Sequence, residues 1–383
     1  MSNKKGIAIL GSTGSIGIAA LNIVTSLPDD FEVEVLTAAS NAELLIEQSL
    51  RLLPNTVVIE NEALYKKVSE ALWKEDIHVY TGSAAVCQVL ESQHIDLVFN
   101  AIKGIAGIAP TIAAIHTRKQ IALANKESLV ICGSLITRLA EQNGVNIYPV
   151  DPSHSSIFQS MLGEFHNKIQ KLYLTSSGGQ FEGFTVAQLN EISAEKIINK
   201  GTSNVYDLVN AATLILDSFK LIEARWLFRL KPEQIKLVIH NPRIINGLVE
   251  FADGSIKAQM DASNLMRSIQ FSMSYPNRMN VSAPRINLFD EPNLSFKQPD
   301  KTNFPNLNHA YSVLEKGGSF SAVLNASNKI AVEAFLEDQI KFTEIASINE
   351  TMLNGHNTIT NPSYEDFINA YNTACEQTLK LIK

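Results

Sequence analysis

The sequence predicts an α/β protein: an N-terminal Rossmann-like parallel sheet, a central α+β catalytic and dimerisation domain, and a C-terminal helical bundle. Three observations carry this. Over residues 1–150 short apolar runs alternate with helical patterns, the βαβ rhythm of a parallel sheet covered by helices. From 168 to 290 several strand-like runs are separated by few helices. From about residue 309 the apolar spacing is helical throughout. The chain has 383 residues, too many for one core. Four segments are expected: a nucleotide-binding domain at 1–150, a central domain at 151–290, a linker at 291–308 and a bundle at 309–383.

"GIAIL" at 6–10 reads as a buried strand, and "SIGIAALNIVTSL" at 15–27 as a helix stopped by Pro28. "FEVEVLTAAS" at 31–40 is a second strand, followed by a helix at 41–53 with Asn41 as its N-cap. Further strands are expected at 56–60, 77–81, 95–102, 120–125 and 145–151, then at 168–177. The polar run near 199–206 reads as an exposed loop, and 208–228 as one helix. Strands are predicted at 235–241, 248–260 and 286–290. "EPNLSFKQPDKTNFPNLN" has three prolines among polar residues, the composition of a linker.

Net charge is −7, with no basic excess to neutralise a phosphate backbone, which argues against nucleic acid as a partner. No apolar run reaches the ~18 residues of a membrane span. The basic start "MSNKK" leads into an apolar run broken at once by Gly and Ser, unlike a signal peptide. Three cysteines, far apart and without a CxxC pair, offer neither a disulfide framework nor a zinc site and fit a reducing cytoplasm.

"ILGSTGSIG" follows a strand and opens a helix. Gly11, Gly14 and Gly17 form G-x-x-G-x-x-G, a variant of the dinucleotide fingerprint, in which glycine lets the backbone approach a pyrophosphate and the helix N-terminus supplies N–H groups. Thr13, Ser15 and Ile16 belong to the same turn, and Ser12, Thr13 and Ser15 add hydroxyls. The second strand ends "LTAASN", with no acid for ribose hydroxyls; this favours NADP(H) over NAD. Asn41 is placed at that cofactor edge.

"GSTGSIG", "ALANKESLVICGS" (122–134), "VDPSHSSIFQ" (150–159), "LTSSGGQF" (174–181), "IEARWLF" (222–228) and "NASNKIAVEAFLEDQIKFTEI" (325–345) occur in order and spacing that resemble the 1-deoxy-D-xylulose 5-phosphate reductoisomerase family. The resemblance spans nearly the whole chain. It implies an NADPH-binding domain, a homodimer, and isomerisation of a phosphorylated ketose followed by hydride transfer. It also implies a divalent metal held by three carboxylates, a serine-rich phosphate pocket with an Asn and a Lys, and a Trp-bearing flap. It places Lys126 against the substrate, with Asn125 and Glu127 near the nicotinamide.

The chain departs from that pattern in its charges. The metal motif Asp-Ser-Glu-His becomes Asp151-Pro152-Ser153-His154. In the central helix the phosphate-site Ser, Asn and Lys become Ala211, Leu216 and Asp217, and the third carboxylate becomes Lys220. The flap motif falls on residues 198–204 without its Trp, while Ser177 of the pocket survives. One Asp beside an ammonium is a poor cage for Mg²⁺ or Mn²⁺, so no metal ligands are assigned and no divalent metal is expected. Lys126, Asp151 and Lys220 are the candidate catalytic residues; Ser153, His154, Ser177 and Asp217 are the candidate substrate residues. Asp217 and Lys220 are also spaced to pair on one helix face, and His154 fits a packed core His as well as a site residue. The expected function is an NADP(H)-dependent oxidoreductase, metal-independent and with an altered small-molecule substrate. A catalytically silent nucleotide- or partner-binding relative is one alternative; the parent reductoisomerase is another.

Overall fold

The computed structural model describes residues 4–164, 166–197, 205–262, 264–290 and 293–383. The expected flap positions 198–204 lie outside the described residues. The chain forms two compact units. The first comprises Met1–Ser128, Ile136–Ser155 and Asn264–Arg285; the second comprises Leu129–Leu135, Ser156–Ser263 and Ile286–Lys383. The division follows packing and not order along the chain, so it cuts across the segments read from the sequence. Residues 264–285 show why: Ile269 and Met273, on the helix Leu265–Ser274, are buried in the core of the first unit.

The first unit is built on seven strands: β1 (Lys5–Leu10), β2 (Phe31–Ala38), β3 (Thr56–Ile59), β4 (His78–Thr81), β5 (Leu97–Asn100), β6 (Gln120–Leu123) and β7 (Ile147–Pro149). Their order is β4-β3-β2-β1-β5-β6-β7 and every pairing is parallel. The inner strands are near-continuous apolar runs because helices cover the sheet; Ile7, Ile9, Leu36, Val57, Leu97 and Phe99 form the core. The helix Ser15–Ser26 buries Ala20, Leu21, Ile23 and Val24. It ends at Leu27, whose φ of −129° and ψ of 58° are non-helical, as expected of a residue before proline. Asn41 caps the helix Ala42–Leu52, accepting from the N–H of Leu44 at 3.2 Å.

The second unit has a four-stranded sheet of order β11-β10-β8-β9, from β8 (Ile169–Ser176), β9 (Ile235–Ile239), β10 (Ile245–Phe251) and β11 (Ile256–Met260). β10 is antiparallel to β8 and β11, while β8 and β9 are parallel. Its helices include Asn306–Lys316, Phe320–Leu336, Phe342–Asn354 and Tyr364–Ile382.

Three expectations need correction. The single helix expected at 208–228 is two, Val205–Ala212 and Ile215–Phe228, broken at Leu214 with φ 58°. A leucine takes that left-handed conformation only under outside constraint. Asn306 Nδ2 donates to Thr213 O at 3.2 Å, and Ser218 Oγ lies 3.0 Å from both Leu214 O and Asn306 O. The strand expected at 248–260 is a hairpin, turning at Gly254, where φ is +84°. The strand expected at 286–290 is absent: Leu288–Asp290 is a short 3₁₀ turn, with Phe289 93% exposed.

Candidate active site

In the first unit the loop after β1 turns sharply at Gly11, φ +76°. A Cβ on Gly17 would lie 2.2 Å from Gly11 O and 2.7 Å from Ser12 Cα, so only glycine lets the helix start this close to the strand. Gly14 is the N-cap of the helix Ser15–Ser26; no side chain caps this end and its first turn carries no acid. Such an end suits an anion. Thr13, Gly14 and Ile16 are half-buried and Ser15 is exposed, within reach of a ligand. Ser12, read as a hydroxyl donor, is fully buried and points inward, donating to Gln48 Oε1 at 2.7 Å. Ala39, Ser40 and Asn41 are exposed beyond β2.

Asn125, placed by the resemblance near the nicotinamide, is 3% exposed. Its Oδ1 accepts from the N–H of Ser128 at 2.8 Å, and its Nδ2 donates to Ile102 O at 2.7 Å and Gly104 O at 2.8 Å. It is a strut within the protein. Lys126 and Glu127 follow it, half-buried, in the first turn of the helix Lys126–Asn143. Asp151 precedes the helix Pro152–Ser160 and caps it: Oδ1 accepts from the N–H of Ser153 at 2.8 Å and of His154 at 3.2 Å. His154 Nδ1 lies 3.4 Å from the same oxygen, and His154 and Ser153 are buried. The structure thus brings Asp151, Ser153 and His154 together.

In the second unit the loop after β8 passes through Gly178 and Gly179, φ +83° and +78°. Gly179 lies so close to the broken helix that a Cβ there would meet Leu214 Cδ2 at 3.0 Å. Asp217, in the first turn of Ile215–Phe228, is 8% exposed. Ser176 Oγ donates to Asp217 Oδ2 at 2.5 Å, accepts from the N–H of Gly178 at 3.1 Å, and Lys220 Nζ lies 3.5 Å from Asp217 Oδ1. The serine in this cluster is Ser176; Ser177, the one singled out from the sequence, is exposed. No pattern in the sequence separates the two serines: burial runs unbroken over Leu174, Thr175 and Ser176 and ends at Ser177.

The resemblance implies a divalent ion between three carboxylates. At those positions this chain has Asp151, Ser153 and Lys220. A carboxylate already engaged by two N–H groups, a hydroxyl and an ammonium do not make the oxygen cage Mg²⁺ or Mn²⁺ requires. Among the described residues no group of three or more His, Cys, Asp or Glu is placed to hold a metal ion. The donor set does not fit the ion.

The doubly wound sheet, with its glycine turn at an uncapped helix N-terminus, defines an α/β protein of the dinucleotide-binding class. Comparison with known proteins narrows this. The family model for 1-deoxy-D-xylulose 5-phosphate reductoisomerase matches residues 7–133, and the models for its C-terminal domains match 147–228 and 260–377. A reductoisomerase of that name from Bacteroides fragilis is 41% identical over 367 residues, 95% of each chain. One from Chloroherpeton thalassium is 37% identical over 368 residues, again 95% of each. The solved Zymomonas mobilis reductoisomerase in complex with NADPH superposes with a TM-score of 0.95 at 32% identity, covering 99% of both chains. A reductoisomerase structure holding NADPH, fosmidomycin and magnesium gives 0.90 at 29%, covering 99% of this chain and 98% of that one. The chain belongs to the 1-deoxy-D-xylulose 5-phosphate reductoisomerase family.

Proposed function

We propose that the chain is an NADP(H)-dependent oxidoreductase that acts on 1-deoxy-D-xylulose 5-phosphate, the reductoisomerase activity for which its relatives are named. One observation supports this above the others: relatedness to named reductoisomerases runs over 95% of the chain. Within it the nucleotide turn and the Asn125–Lys126–Glu127 block stand intact. NADPH supplies the hydride. The uncapped N-terminus of Ser15–Ser26 takes the pyrophosphate. Lys126 presents an ammonium to a substrate oxygen, where a fixed cation stabilises charge that builds up as the carbonyl is reduced. The metal-independent enzyme with a changed substrate, favoured by the sequence alone, finds no support among these relatives; they favour the reductoisomerase.

A second reading keeps one observation in its favour. Where the family pattern has Asn and Lys for a phosphate, this chain has Leu216 and the Asp217 carboxylate, held by Ser176 and Lys220. A carboxylate there repels a phosphate, and catalytic groups lost together are lost as a unit. On this reading the chain binds the nucleotide and reduces a phosphate-free carbonyl, or turns nothing over. The test is NADPH oxidation by the purified chain with 1-deoxy-D-xylulose 5-phosphate, with Mg²⁺ or Mn²⁺ and again with chelator. Turnover of 1-deoxy-D-xylulose 5-phosphate establishes the first reading, and the chelator arm shows whether it uses a metal. Chelator-resistant oxidation with a phosphate-free carbonyl, or nucleotide-dependent stabilisation without turnover, establishes the second. A cytoplasmic homodimer belongs to the first reading, and sedimentation of the purified chain checks the dimer. Among the described residues no helix is long and apolar enough to cross a membrane.

A further inference from the structure

The loop leaving β5, residues 101–107, lies against the glycine turn. A Cβ on Gly11 would meet Ala101 C and O at 3.1 Å and Ile102 N at 3.2 Å. β1 and β5 are neighbours where the strand order reverses, and a dinucleotide lies across the crevice at such a point. The glycine turn takes the pyrophosphate, so the second nucleotide runs over residues 101–107. That loop is irregular, with Gly104 at φ +71° and one 3₁₀ turn at Gly104–Gly107. Side chains hold its backbone. Asn100 Oδ1 accepts from the N–H of Ile102 at 3.1 Å, and Asn100 Nδ2 donates to Gly107 O and Thr111 Oγ1, both at 2.8 Å. Thr111 Oγ1 lies 2.9 Å from Gly107 O and 2.9 Å from Ser128 Oγ. Asn125 holds Ile102 and Gly104 from the other side, and a Cβ on Gly107 would lie 2.6 Å from its amide. Asn100, Thr111 and Ser128 are fully buried and Asn125 nearly so.

We infer that Asn100 and Thr111, acting with Asn125, are positioning residues that set the 101–107 loop for the nicotinamide half of the dinucleotide. Asn100 and Thr111 are too buried to touch a ligand, and with Asn125 they hold the backbone at 102, 104 and 107. A buried amide stripped of its partners is unfavourable, so the fully satisfied network holds the loop in one conformation. The inference rests on the reading that the chain binds NADP(H), and not on which substrate it reduces.

The experiment titrates wild type, Asn100→Ala, Thr111→Val and Thr111→Ser with NADPH and, separately, with 2′,5′-ADP, which lacks the nicotinamide half. The expected result is an NADPH Kd raised about tenfold in Asn100→Ala and several-fold in Thr111→Val, as befits lost buried hydrogen bonds. Thr111→Ser stays near wild type, and 2′,5′-ADP binds all four proteins equally. Parallel weakening of both ligands, or an NADPH Kd unchanged in Thr111→Val, overturns the inference. If Asn100→Ala does not fold, the two Thr111 variants decide alone. Failure of the wild-type chain to bind NADPH overturns the reading beneath it instead.

Discussion

The glycine turn of the first unit and the serine–glycine loop of the second both bring backbone close to a helix N-terminus, and they differ in what already sits there. At Ser15–Ser26 the chain supplies neither a side-chain cap nor an acid in the first turn. At Ile215–Phe228 it supplies Asp217, buried and bonded to Ser176. A helix N-terminus left bare attracts an external anion, whereas one with its own carboxylate is already neutralised. On the proposed function, one fold thus carries an anion site for the dinucleotide and another helix N-terminus where a side chain takes the anion's part.

The largest expected effect comes from closing the bare site. In Gly17→Ala the new methyl falls 2.2 Å from Gly11 O and 2.7 Å from Ser12 Cα, backbone that cannot swing aside as a side chain would. NADPH affinity is expected to fall more than about 100-fold, because the turn must open and misplace the N–H groups that hold the pyrophosphate. Fluorescence titration measures it, and a wild-type Kd would break the comparison at its stronger end.

The two regions were not equally legible in the sequence. The glycine turn was, because its chemistry is local: glycine spacing, the strand before and the helix after lie within a few residues. So were the strands of the first sheet, whose apolar runs report burial on both faces. The second region was misread where tertiary contacts decide. No residue between 208 and 228 announces a break at Leu214; Asn306, far along the chain, holds Thr213 O. The hairpin at Gly254 was announced by "ADGS", and the long alternating pattern around it masked the turn. "INLFD" has strand composition, yet Phe289 is 93% exposed and packs into no sheet. The motif named Asn125 but did not show that its amide is spent on Ile102 O and Gly104 O.

An intermediate effect comes from emptying the second site. Asp217→Asn keeps the shape and the bond to Ser176 but removes the carboxylate. KM for 1-deoxy-D-xylulose 5-phosphate is expected to fall about tenfold, the size of a like-charge repulsion relieved in a partly buried site. Unfolding free energy is expected to drop by about 1 kcal/mol, since the helix loses an acid in its first turn. Steady-state kinetics and thermal unfolding check the two parts. An unchanged or raised KM would show that Asp217 does not face the phosphate.

The smallest effect is read in the acid limb of stability, on the second unit's side of the comparison. Its broken helix is held by Asn306, and His309 Nδ1 lies 3.4 Å from Asn306 Oδ1 in the same buried cluster. Burial pushes the His309 pKa below its ordinary value, partly countered by the Glu350 carboxylate. The folded protein therefore binds a proton less readily than the unfolded chain, whose histidine titrates near about 6.5. Stability from the neutral imidazole is full above that pH and is lost as the pH falls through it toward the lower folded pKa. His356, in the same unit, is shifted the same way by burial, so His309→Gln removes part of the acid sensitivity and not all of it. The thermal midpoint of wild type is expected to fall more steeply than that of His309→Gln between about pH 7 and pH 5. Parallel curves would show that the proton is taken up elsewhere and that the Asn306–His309 cluster does not sense pH.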